Sequence, residues 1–309
     1  MNAVLQIFNN INIFSDFLCN IDLDNKCQIS KALKNVFLNL RDPHKKSYEP
    51  REFKNIIGKL QPKFLKNEPG DSRQLIQFLL NNIHKELNEN KNKNIQDDDE
   101  EDTELTWEKK LENERRIFNQ ENKSIIIDLF YGIQSTETFC YKCQNTSYEF
   151  EYFNILTLPI LQKYAKKINI NNMLEDYSRK IQLEGNNKNY CEFCDGEFNA
   201  YSRNIFYELP KILIIHPGRT NKGTKFNIKI EFKEEITISL SEKLEKQKIQ
   251  FNLIGIIYHF GGCGHNGHNI SYCKIGDVWY SFNDSKISKI DINEINGEGI
   301  LLLIYQQKI

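Results

Sequence analysis

Net charge is almost absent from this sequence: 41 Lys and Arg residues balance 42 Asp and Glu, leaving −1. That balance excludes the basic footprint of a nucleic-acid binder or a polybasic membrane protein. The first 20 residues lack a basic n-region followed by an apolar run, so no secretory signal is read there. Long hydrophobic runs are missing as well. The longest, such as ILLLIY at 300–305, are far too short to cross a bilayer. No internal repeat is visible. These absences lead to the expectation of a protein of the cytoplasm or nucleus, without nucleic-acid or membrane partners, whose eight cysteines stay reduced; a monomer is expected, though no feature of the sequence argues for it. The abundance of Asn, Lys and Ile is given no functional weight.

What is present suffices for a sizeable core. The chain has 309 residues, 39% hydrophobic and 12% aromatic, with 20 Phe and 14 Tyr. Its first 90 residues read mostly as helix. MNAVLQIFNN places Ala3, Val4, Ile7, Phe8 and Ile11 at helical spacing, continued by Phe14 and Leu18. KALKNVFLNL aligns Leu33, Val36, Phe37 and Leu40 on one stripe. DSRQLIQFLLNNIHKEL does the same with Leu75, Phe78, Leu79, Ile83 and Leu87, behind Asp71 and Ser72 as N-cap residues. NENKNKNIQDDDEEDTE, residues 88–104, reads as a disordered acidic insertion. LTWEKKLENERRIFNQ resumes a charged helix. After residue 135 the period shifts toward two: SYEFEYF puts Tyr148, Phe150 and Tyr152 on one face. A series of further segments, ending in GILLLIYQ, reads as strands. The expected class is α+β.

Two CxxC pairs, Cys140 with Cys143 and Cys191 with Cys194, carry the clearest chemical signal. Each knuckle presents two thiolates to one ion, and two knuckles complete a tetrahedral set, so one structural Zn²⁺ is expected, with no open position for catalysis. A second signal is YHFGGCGHNGHNISYCKIGDVWYSFNDS. His268 opens a strand after a glycine-rich loop, and Asn283 follows 15 residues later at the end of another. Adjacent antiparallel strands would bring them together. The carboxamide oxygen would then accept the imidazole Nδ1–H and leave Nε2 to take a thiol proton.

In their order along the chain these pieces resemble the ubiquitin-specific protease family, papain-like cysteine peptidases that remove ubiquitin from proteins. DSRQLIQFLLNNIHKEL resembles the family's second helical block. SIIIDLFYGIQSTETFCYKCQNTSYEFEYFNILTLPI resembles the entry to its first zinc knuckle. YCEFC and LPKILIIHPGR match the second knuckle and the following strand, and the segment from FNLIGIIYHFGG to ILLLIYQ matches the His box through the last strand. The resemblance implies a single catalytic domain over 1–309: a helical thumb (1–130, with the insertion), zinc-binding fingers (131–204) and a β palm (205–309). It implies ubiquitin and ubiquitinated proteins as partners and no catalytic cofactor. His268 is then the general base, Asn283 its orienting partner, Asp284 an assisting neighbour, and Cys140, Cys143, Cys191 and Cys194 the zinc ligands.

MNAVLQ is similar to the end of the family's Cys box, which reads Asn-Thr-Cys, an aromatic residue, then Met-Asn-Ser/Ala-x-Leu-Gln. The nucleophile is therefore expected two residues before Met1, at a helix N-terminus whose dipole lowers a thiol pKa, with the oxyanion-hole Asn also upstream. This chain is expected to be a fragment lacking peptidase activity. Cys19, Cys27, Cys263 and Cys273 are not expected to substitute. Several positions depart from the pattern: Asn269 replaces an aromatic after the histidine, Pro217 and Thr220 replace Leu and Phe, and Gly70 and Gln74 replace Gln and Glu. These departures bear on activity more than on fold. They keep open an alternative, a ubiquitin-binding pseudoenzyme or scaffold.

Overall fold

A computed structural model describes residues 1–65, 71–91, 106–161, 166–221, 224–225, 228–244, 247–261 and 267–308. Gly70, Cys263 and most of the acidic insertion lie outside them.

Five helices open the chain: α1 (Asn2–Asn10), α2 (Asn12–Asn20), α3 (Gln28–Leu40), α4 (Arg51–Leu60) and α5 (Ser72–Leu87). The apolar stripe expected over the first 18 residues is buried throughout, with Val4, Phe8, Phe14 and Leu18 at 0% exposure. It belongs to two helices, because Ile11 leaves helical geometry at ψ 83°. Ser15 Oγ hydrogen-bonds the Asn9 and Ile11 carbonyls at this break. The edge-to-face Phe8–Phe14 and Phe14–Phe37 pairs join the helices into one core. At the start of α5, Asp71 accepts from the N–H groups of Arg73 and Gln74. The charged segment forms α6 (Trp107–Glu121), and α7 (Ile125–Phe130) is capped by Ser124. Among the described residues no helix is long and apolar enough to cross a membrane.

The strands begin with β1 (Gly132–Cys140) and β2 (Thr146–Phe153), a long antiparallel hairpin. β3 (Leu156–Pro159), β4 (Lys167–Asn169) and helix α8 (Ile170–Tyr177) follow. Next come β5 (Ile181–Leu183), β6 (Asn189–Cys191), β7 (Gly196–Phe198) and β8 (Ala200–Glu208). Then β9 (Ile212–Gly218), the short pair β10 (Thr220–Asn221) and β11 (Thr224–Lys225), β12 (Lys229–Glu231) and β13 (Glu235–Ser239) lead to the long β14 (Lys248–Phe260). β15 (His268–Ile275), β16 (Val278–Asn283), β17 (Lys286–Ile290) and β18 (Ile300–Gln307) complete the series.

Two main sheets result. The smaller runs β2-β1-β8-β5 and carries the β6–β7 hairpin at its far end; the larger, eight-stranded sheet runs β17-β16-β15-β14-β18-β9-β3 with β13 also on β14. β3 lies within the span read as fingers, yet it pairs in parallel with β9 in the larger sheet. Both faces of that sheet are covered. Ile212, Ile214, Leu302 and Ile304 pack against the thumb helices, while Leu213, Ile215, Leu303 and Tyr305 enter a second core. Burial on both faces explains why β9 and β18 read as unbroken apolar runs instead of alternating.

Helix α1 is seated on the larger sheet by a specific device. Asn10 Nδ2 bonds the carbonyls of Ile254 and Lys274 at 3.1 and 3.2 Å, on adjacent strands β14 and β15. Beside it, Ile7 fills the space that a Cβ on Gly255 would need. The far end of α1 is thereby aimed at the hairpin between β16 and β17.

Candidate active site and metal centre

His268 is the first residue of β15, and Asn283 the last of β16. These strands pair directly, with Ser271 opposite Phe282, and the side chains meet: His268 Nε2 lies 2.7 Å from Asn283 Oδ1. The expected atom is corrected here. Asn283 engages Nε2, so Nδ1 is the ring nitrogen that this carboxamide leaves for other work. Asp284 Oδ2 stands 3.8 Å from the same Nε2. Asp284 occupies the left-handed backbone region at φ 52°, which an Asp in a tight turn tolerates better than most residues.

The third side is helix α1. Asn2 Nδ2 donates to Asp284 Oδ1 at 2.5 Å. The amino group of Met1 is held below its usual pKa by burial, with Asp284 pulling the other way. The positive end of the α1 dipole thus points at the His268–Asn283–Asp284 hairpin, a place suited to a thiolate or an oxyanion. Asn2 was not singled out from the sequence. Its contact spans 282 positions, and no local pattern reports it.

The other cysteines have different settings. Cys273 is fully buried in the core under the thumb, and burial pushes its thiol pKa up strongly. Cys27 precedes α3 and its Sγ donates to the Glu86 carbonyl at 3.5 Å. Burial and Glu86 raise its pKa. Cys19 lies on α2, and burial raises its pKa too.

The remaining four cysteines converge. The Sγ atoms of Cys140, Cys143, Cys191 and Cys194 all lie within 4.8 Å of one another, and those of Cys143 and Cys191 are 3.7 Å apart. A tetrahedral ion about 2.3 Å from each of four sulfurs requires sulfur–sulfur separations of about 3.8 Å, so the donor set fits such an ion. Both knuckles turn alike: the residue after the second cysteine, Gln144 or Asp195, has φ 61° or 49°. Burial opposes ionisation of Cys140, yet the N–H groups of Cys143 and Lys142 and the neighbouring thiols draw its pKa down to about 7. Cys194 is pushed up to about 12 by burial and by the three other thiols. A thiolate among crowded thiols is the setting that a dication stabilises.

The family model described as ubiquitin carboxyl-terminal hydrolase matches residues 1–305. This chain belongs to that family. Ubiquitin carboxyl-terminal hydrolase 2 of Gallus gallus is 26% identical over 274 residues, covering 84% of this chain and 74% of that protein. The Homo sapiens protein of the same name is 25% identical over 330 residues, covering 99% of this chain and 53% of its own length. Ubiquitin carboxyl-terminal hydrolase 21 of Rattus norvegicus is 23% identical, with 99% and 59% covered. The chain thus spans little more than half of several curated relatives. Among solved structures, Ubp8 in the SAGA deubiquitinating module with Sgf11, Sus1 and Sgf73, bound to ubiquitin aldehyde, superposes with a TM-score of 0.74 at 23% identity, covering all of this chain and 67% of its own. The same module bound to monoubiquitin gives 0.75. These neighbours share the fold, an α+β arrangement of thumb, palm and fingers. The expectation of a monomer finds no support in them, since each sits in a multiprotein module.

Proposed function

We propose that this protein is a thiol-type deubiquitinase that cleaves isopeptide or peptide bonds after the C-terminal Gly of ubiquitin. The reading is carried by one observation: a histidine fixed by a carboxamide at 2.7 Å, facing the N-terminal end of a helix. The nucleophile in this reading is a cysteine thiol presented at that helix end. His268 takes its proton, and the thiolate attacks the carbonyl carbon of the terminal Gly. The C–N bond breaks, the imidazolium protonates the departing amine, and a thioester forms. Water, deprotonated by the same imidazole, then releases ubiquitin with a free carboxylate. Asn283 holds the ring, and Asp284 stands beside it at 3.8 Å. Cys140, Cys143, Cys191 and Cys194 hold a structural Zn²⁺ that fastens the β6–β7 hairpin to the β1–β2 turn. The protein works in the cytoplasm or nucleus, where its thiols stay reduced.

Among the described residues no cysteine stands at that helix end, so the 309-residue chain is expected not to react in this reading. The test is direct. A ubiquitin bearing a C-terminal electrophile leaves the 309-residue chain unmodified. It labels a version carrying Asn-Thr-Cys and an aromatic residue ahead of Met1, and His268→Ala abolishes that labelling. A folded extended chain that binds ubiquitin yet resists the electrophile would support the second reading, a ubiquitin-binding pseudoenzyme, which the departures at Pro217, Thr220 and Asn269 favour.

A further inference from the structure

β2 is the outer strand of the smaller sheet, paired only with β1 among the described residues. Its eight residues keep register with β1 from Phe153 opposite Gly132 to Thr146 opposite Phe139, without a bulge. Among the described residues, no backbone hydrogen bond outside that ladder reaches Thr146–Phe153. Such an edge leaves a row of N–H and C=O groups open to another chain, and proteins ordinarily blunt it. Three other edges of the two main sheets are blunted: β5 has three residues, β3 has four and ends in Pro159, and β17 carries Lys286 and Lys289. β2 has neither lysine nor proline. Its two faces differ. Tyr148, Phe150 and Tyr152 share one face and are half-buried. Lys243 Nζ lies 4.2 Å from the centre of the Tyr148 ring, Phe150 packs edge-to-face on Tyr207, and Tyr152 stacks on Phe118. Glu149 and Glu151 share the opposite face, both exposed, and Gln134 Nε2 donates to Glu151 Oε1.

We propose that the free edge of β2 is a docking site for an extended basic segment of another protein, added as a fifth strand of the smaller sheet. The two glutamates decide which strand fits. Two copies of β2 meeting antiparallel about a two-fold axis would set Glu149 and Glu151 of one against the same residues of the other. Like charges directly opposite across a strand pair are destabilising, so the edge rejects a second copy of itself. A strand with Lys or Arg at every second position meets the acids on one face. Apolar side chains at the positions between continue the row of Tyr148, Phe150 and Tyr152 on the other. The backbone ladder then supplies affinity, and the charges supply selectivity. β2 and His268 belong to different sheets, so the site is separate from the activity proposed above and does not depend on it.

The experiment exposes the 309-residue chain to three synthetic peptides of equal length with blocked ends, and reads both affinity and hydrogen exchange. One alternates Lys with Val. The second alternates Glu with Val. The third alternates Lys with Pro, which keeps the charge of the first and cannot form a strand ladder. The Lys–Val peptide should bind and slow exchange along β2, and the other two should do neither at the same concentration. Glu149→Gln and Glu151→Gln should each weaken its binding about two- to five-fold, the worth of one cross-strand charge pair. Melting temperatures check folding, and if Glu151→Gln is disturbed, Glu149→Gln carries the comparison alone. No binding by the Lys–Val peptide, or binding that leaves exchange in β2 unchanged, overturns the proposal. Equal binding by the Lys–Pro peptide also overturns it, because charge would then act without an added strand. Self-association that protects β2 with rising protein concentration overturns it in favour of a second copy as the occupant.

Discussion

Asn2 and Asp284 are joined by a 2.5 Å hydrogen bond that ties the first turn of the chain to a hairpin 282 positions later. The contact places a helix N-terminus against a histidine already held by Asn283. It also brings Asp284, in its left-handed conformation, into a position where backbone and side chain have separate jobs, and substitution can separate them. Asp284→Gly relieves the backbone and loses the carboxylate; Asp284→Ala loses the carboxylate and keeps the strain. The alanine variant should unfold at lower denaturant, by about 1 kcal/mol relative to glycine. Equal stabilities would mean that the turn relaxes.

Metal should be found at about one zinc per chain by elemental analysis. Cys191→Ser should remove it, since three thiolates at a structural site hold zinc far less tightly than four. Hydrogen exchange should then quicken in β6, β7 and the β1–β2 turn. The thumb and palm should keep their protection, because their two cores draw no residue from the knuckles. A zinc-free protein with protected knuckles would remove the metal from the account.

His216, on β9, is held down to about 4, mainly by burial and secondarily by Arg73. In the unfolded chain the same imidazole titrates near its usual 6.5. The unfolded state therefore binds more protons between these values, and its population grows as the pH falls. Stability from this residue is complete above pH 6.5 and declines toward pH 4, by up to about 3 kcal/mol before allowance for the solvent that still reaches the ring. Denaturant midpoints of His216→Gln should depend less on pH across this window than those of the unmodified chain.

Glu137 is 3% exposed on β1, bound by Arg203 Nε and Nη2 at 3.2 and 3.0 Å and by Tyr207 Oη at 2.7 Å. Arg203→Met would leave a buried carboxylate without its cation and should cost about 3 kcal/mol in urea denaturation. Changing Glu137→Gln in the same chain should recover part of that loss, because the uncompensated charge is gone.

Much of the site was legible because its determinants are local. The CxxC spacing names four cysteines that converge from two short loops, and Leu33, Val36, Phe37, Leu75, Leu79 and Ile83 declare their helices by period alone. All six are buried in the same core, and Leu40, on the α3 stripe, is half-buried against it. The break at Ile11 was not legible: the apolar stripe runs straight through it, and the bend depends on how α1 and α2 meet the rest of the core. Nor was the ring nitrogen that Asn283 would engage, since that choice is made by how two strands present their ends.

The sequence by itself determined the family, the α+β class, the four-cysteine cluster and the candidates His268, Asn283 and Asp284, because residue type, spacing and order carry that information. Only the tertiary structure decided where the helix N-terminus lies, which atom of His268 meets Asn283, and that Asn269 donates to Ser72. Those contacts join residues 15, 197 and 282 positions apart. They exist because Asn10, Gly255 and a shared core bring thumb and palm together, and no periodicity along the chain encodes a meeting at such distance.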